Sequence, residues 1–80
     1  MIKLYITEAG TYGPEYVGGL IIIKTGGVTL SGIVAKGVVV SGQASGDVTI
    51  TGSQISGNVV NLSANANVKS NTDNVVNPND

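Results

Sequence analysis

The sequence predicts an all-β protein: short repeated strands wound as an intertwined trimeric β-helix or β-prism, with a small N-terminal β head. Three observations predict it. Val28, Val38 and Val48 fall ten residues apart, as do Leu30, Val40 and Ile50, and as do Gly32, Gly42 and Gly52. Within each phrase, apolar and polar residues alternate with period two, the mark of a strand buried on one face and wet on the other. Hydrophobic residues make up 41% of the chain but aromatics only 4%, so the interior must be narrow and filled by Val, Ile, Leu and Ala. No stretch joins helical spacing to capping residues, and no helix is expected.

The elements follow in chain order. Residues 1–26 form the head. "IKLYIT" (2–7) alternates and reads as a strand with Ile2, Leu4 and Ile6 on one face. "EAGTYGPEYVGG" (8–19) carries Gly, Pro and Tyr and reads as a loop or a pair of tight turns. "LIIIK" (20–24) reads as a short strand buried on both faces, and "TGG" (25–27) as a turn.

Residues 27–69 are the repeat: "GVTLSG" (27–32), "GVVVSG" (37–42) and "DVTITG" (47–52). A fourth copy slips by one at Asn58, and a fifth, from Asn67, is degenerate. "IVAK", "QASG" and "SQIS" between them read as corners or shorter strands, bounded by glycine where the chain must bend. Residues 70–80, "SNTDNVVNPND", read as a fading last turn and a frayed end.

Short equivalent strands between glycine corners signal stacking. A single-chain solenoid with three sides needs roughly eighteen residues per turn, and the repeat alone then makes little more than two turns, below the three or so that bury a core. Buried aliphatic side chains give about 1.5–3 kcal/mol each, against a backbone cost of about 1–2 kcal/mol per ordered residue. A homotrimer removes the shortage, with Val28, Leu30, Val38, Val40, Val48 and Ile50 lining a shared core and closed symmetry hiding sheet edges.

Composition narrows the function. With no cysteine and no histidine, disulfides, Ser-His or Cys-His nucleophile pairs and nitrogen/sulfur metal sites are all set aside, so neither an enzyme nor a cofactor is expected. Four scattered lysines and no arginine make no basic stripe for nucleic acid. The longest run of large apolar residues, Leu20 to Ile23, is far too short to span a membrane. The first residues lack the basic start and long apolar run of a secretory leader, so synthesis in a cytoplasm is expected.

The remaining motifs take ordinary readings. Glu8 and Glu15 flank the tyrosine loop and read as solvated charges rather than a catalytic carboxylate pair. No phosphate-loop pattern accompanies the glycines. Asp47 reads as a turn residue, and the oxygen-rich "NTDN" and "NPND" as turns rather than a hard-cation site. Thr49 and Thr51 form a Thr-x-Thr pair like those of ice-binding solenoids; with Thr29/Ser31 and Val39/Ser41 as its equivalents, the rank is broken. Tyr12, Pro14 and Tyr16 are the candidate contact surface, since tyrosine offers apolar area and a hydroxyl. Tyr12 and Tyr16 equally fit as caps on the end of the core.

The β head, the glycine-punctuated repeat from Gly27 to Val68 and the Asn-rich end together resemble the small trimeric decoration (cement) proteins and head fibres of tailed-phage capsids. The resemblance implies a non-enzymatic virion protein, a homotrimer on the capsid surface whose partner is the major capsid protein. Tyr12, Pro14 and Tyr16 are then the expected capsid contacts. Neither nucleic acid nor membrane is an expected partner. Two alternatives stand beside it. "SGNVVNLSANANVKS" (56–70) is similar to the cadence of bactofilins, which polymerise as β-solenoids, and the stalk or tip of a tail spike or fibre uses the same trimeric physics.

Overall fold

The computed structural model describes residues 3–78 and is all-β. Twelve short strands wind as a succession of three sides, repeated through about four coils of a parallel β-solenoid. The first coil is β1 (Lys3–Ile6), β2 (Gly10–Tyr12) and β3 (Glu15–Tyr16). The second is β4 (Leu20–Ile23), β5 (Val28–Ser31) and β6 (Ile33–Ala35). β7 (Gly37–Val40), β8 (Gly46–Thr51) and β9 (Gln54–Ile55) make the third. β10 (Val59–Asn61), β11 (Ala66–Ser70) and β12 (Val75–Val76) continue the first two sides.

Side one is therefore the parallel sheet β1-β4-β7-β10-β12, side two is β2-β5-β8-β11, and side three is β3-β6-β9. Lys3 lies opposite Leu20, Leu20 opposite Gly37, Val38 opposite Val59 and Val59 opposite Val75, so a coil takes 16 to 21 residues. Parallel neighbours need a long connection, and here the other two sides of the coil supply it.

The ten-residue refrain turns out to be half a coil. Its copies alternate between sides: Val28 is on side two, Val38 on side one, Val48 on side two and Val59 on side one. Each copy stacks on the one about twenty residues away, Val28 on Val48 and Val38 on Val59. The intervening "IVAK" and "SQIS" supply the short third side, β6 and β9. Corners between sides two and three repeat as well, with Gly32 at φ 67° and Gly52 at φ 57°, a left-handed turn that a side chain would strain.

All six residues expected to line a shared three-fold core are buried, each 2% exposed or less, inside the single chain. The core also takes Ile6, Val17, Ile21, Ile23, Ile33, Ala35, Ala44, Ile55 and Val59. The expected shortage of turns came from counting the repeat alone. β1, β2 and β3 pair in register with β4, β5 and β6, so residues placed in the head supply a full coil. Of the strand expected at 2–7, Leu4 and Ile6 do face inward, while Ile2 lies outside the described residues. "LIII" is buried on one face only: Ile21 and Ile23 point in, Leu20 and Ile22 point out.

The C-terminal end is closed by polar side chains rather than left to fade. The inward rank Ile6, Ile23 and Val40 ends in Asn61, 2% exposed, which accepts from the Ser63 amide at 2.9 Å and donates to Ala66 O at 3.3 Å and Asn77 Oδ1 at 3.2 Å. On side three, where no strand follows β9 among the described residues, Asn71 takes the place of one. Its Oδ1 accepts from Ser53 N at 3.4 Å and its Nδ2 donates to Ser53 O at 3.0 Å, the two bonds a neighbouring strand would make. Asn74 Nδ2 donates to the carbonyls of Ile55 and Gly57. Unpaired backbone groups at a buried edge are costly, and the asparagines satisfy them.

Two stability predictions follow from this packing. Leu30→Ala, which empties a fully buried position, is expected to lower unfolding free energy in urea by about 2–5 kcal/mol. Asn71→Ala removes two partly solvated hydrogen bonds and is expected to cost about 1–2 kcal/mol; a loss under a few tenths would show that the asparagine does not stand in for a strand.

Candidate interaction surface

A solenoid with its interior full has only its outside to work with, and strand alternation decides what lies there. On side two the outward rank is Thr11, Thr29, Thr49 and Lys69, in direct register. Ser31 and Thr51 stand beside it. The Thr-x-Thr pair at Thr49 thus has Thr29/Ser31 for its neighbour, and Val39/Ser41 belongs to a different side. The threonine rank is longer than the ten-residue alignment indicates, and Lys69 ends it.

On side one the corresponding outward rank is Tyr5, Ile22, Val39, Val60 and Val76, one apolar residue per strand across all five strands. Ile22, Val39 and Val60 are half-buried among their neighbours, while Tyr5 is 55% and Val76 41% exposed. Leu20 flanks the rank, its side chain lying over Gly37, where a Cβ would approach Leu20 Cδ2 to 2.9 Å. Leu62 flanks it on the other edge, 57% exposed. Of the five most exposed large apolar side chains among the described residues, four (Tyr5, Leu20, Leu62 and Val76) lie on this side. Its charges are Lys3 and Lys24, both at the N-terminal end, and Lys24 Nζ sits 5.3 Å from the centre of the Tyr5 ring.

The expected contact trio is divided. Tyr12 points inward and packs against the end of the core, its hydroxyl donating to Glu8 O at 2.6 Å. Pro14 is exposed at the corner above Gly32. Tyr16 is 78% exposed on side three, outside Val34. Tyr12 therefore does the capping, and Pro14 and Tyr16 stand free. Glu8, Glu15 and Asp47 are exposed, with Asp47 accepting from Gly27 N through its backbone carbonyl at 2.8 Å. Among the described residues no three His, Cys, Asp or Glu side chains gather as a metal-binding group; Asp80, in "NPND", lies outside them.

Sequence reasoning missed the apolar rank of side one. Aligned at ten residues, its members mix with the threonines of side two and read as noise. Aligned at about twenty, the middle position of the phrase sorts into Thr29, Thr49 and Lys69 on one side and Ile22, Val39 and Val60 on the other. The two tyrosines are separable by stability. Tyr12→Ala is expected to destabilise by about 2 kcal/mol and Tyr16→Ala to stay within about 0.5 kcal/mol of the parent in the same urea titration. No protein-family model, curated protein or solved structure matches the chain.

Proposed function

We propose that this chain is a non-enzymatic structural protein that works by associating with copies of itself and by attaching to a larger protein shell. One observation carries the reading: a solenoid that already fills its own core keeps an unbroken apolar rank on the outside of its largest sheet. Parallel sheets whose strands read as continuous apolar runs are ordinarily covered on both faces. Side one has such runs, LIII and GVVV, and only its inner face is covered by the chain.

The capsid of a tailed phage is the setting that the sequence pattern favours, with the chain as a decoration protein on the virion surface. Pro14 and Tyr16 are then its contacts with the shell, and Tyr12 serves the interior. A homotrimer follows from the sequence only if one chain cannot bury a core. This chain buries one alone, so the number of copies rests on the shape of side one. The bactofilin-like reading, endless end-to-end growth, is less favoured, because Asn71 and Asn74 already occupy the open edge of side three at Ser53 and Ile55.

Native mass over a wide concentration range tests the proposal. A discrete oligomer that persists on dilution into the low micromolar range is expected. A monomer at every concentration would overturn self-association, and an open ladder of sizes would restore the filament reading.

A further inference from the structure

We infer that side one is the face of a two-fold homodimer, in which two copies pack sheet against sheet with their coil directions opposed. The inference rests on the self-association just proposed and names its partner and geometry.

The chain carries its own control for what an outward position needs. The same phrase, an inward aliphatic, an outward residue and a second inward aliphatic, occurs on both sides. On side two the outward residue is Thr or Lys, as solvent requires. On side one it is Tyr, Ile, Val, Val and Val. In the middle coils the interior takes two aliphatic residues per strand on both sides, Ile21/Ile23 and Val38/Val40 on side one and Val28/Leu30 and Val48/Ile50 on side two, so the difference must answer to what lies outside.

Area and shape point to a second copy as the cover. The accessible surface is 4367 Å², so the ~800 Å² per partner of a standard interface would take a little under a fifth of it, on the order of one face of the molecule. A flat side meets one other flat side well, and a two-fold axis makes one patch serve both partners. Three such sides around a three-fold axis would touch only along their margins.

Charge sets the direction. Lys3 and Lys24 lie at the N-terminal end of side one, and the described outward residues of that sheet include no acid. Copies with the same coil direction would gather four lysines at one end of the interface. An axis parallel to the strands and passing by Val39 separates them. It sets Tyr5 against Val76 of the second copy, Ile22 against Val60 and Val39 against Val39, pairing the largest residue of the rank with a small one. The Lys24 stem then runs over Leu62, with its ammonium free to reach solvent.

A charge-exchange experiment on the whole chain tests this, with circular dichroism confirming each variant folded and Thr29→Lys on side two as the control. Ile22→Lys and Val60→Glu are each expected to weaken self-association about a hundredfold or more, since each buries unpaired charges. An equimolar mixture of the two is expected to recover a dimer, because position 22 of one chain faces position 60 of the other. Thr29→Lys should leave the wild-type mass unchanged. If the wild type is an oligomer but Ile22→Lys and Val60→Glu keep its mass, side one is not the interface and self-association stands. Variants that are monomeric alone and also in the mixture, or a wild-type mass of three chains, would overturn the opposed two-fold. A monomeric wild type would remove both the interface and the reading it rests on.

Discussion

Every feature of this molecule depends on the in-register parallel ladder. Coils stacked at the strand spacing of about 4.8 Å put each residue directly over its equivalent in the coil before. A choice made once is therefore repeated along the whole axis. Val28 over Val48, Leu30 over Ile50 and Val38 over Val59 are single decisions copied upward. An aromatic ring in the middle of such a rank would have to fit the same narrow section as its neighbours. The described aromatics accordingly stand at the end of the stack or on its outside: Tyr12 at the end of the core, Tyr5 and Tyr16 facing out.

Regular stacking creates a second problem at its ends, where the ladder must stop. At the C-terminal end this chain changes the chemistry of the rank instead of adding an element to cover it. Asn61 follows three aliphatic residues at the same inward position, while Asn71 turns its side-chain amide toward the backbone of Ser53, just before β9, and Asn74 toward that of Ile55 in β9. An amide carries a donor and an acceptor, as a peptide group does, and Asn71 uses both on Ser53. That match is why asparagine, poor within strands, is well suited to finishing them. The Asn-rich stretch that looks like a frayed tail in the sequence is the closure of the fold.

Much of this was legible in the residues, and the misreadings have physical causes. Strand alternation and glycine corners marked the all-β winding and the inward direction of the six positions expected in a shared core, because burial on one face leaves a period-two trace in any sequence. The refrain concealed the coil length. Sides one and two ask the same of their inward residues, so consecutive sides look like consecutive repeats, and a period of about twenty presents itself as ten. The first coil stayed hidden for a related reason. "KLYI" and "GTY" match β4 and β5 in register without sharing the refrain, since pairing constrains backbone position far more than residue identity. The end-capping role of Tyr12 was among the open readings. Its separation from Tyr16 needed the corner at Gly13 and Pro14 to be placed.

The outward positions are the ones this architecture leaves undetermined. A buried valine in the ladder is explained by its neighbours above and below. An outward valine is not, because the position tolerates threonine equally well, as Thr29 and Thr49 demonstrate one side away. Five apolar choices in succession at positions free to be polar therefore call for an explanation outside the chain's own stability. The same ladder that copies an interior residue along the axis also copies an exterior one, so a solenoid turns a small preference per coil into a continuous surface. On side two that surface is a line of hydroxyls ended by a lysine. Side one carries instead an apolar stripe the height of the molecule, the form of surface that a partner's apolar face can cover along its whole length.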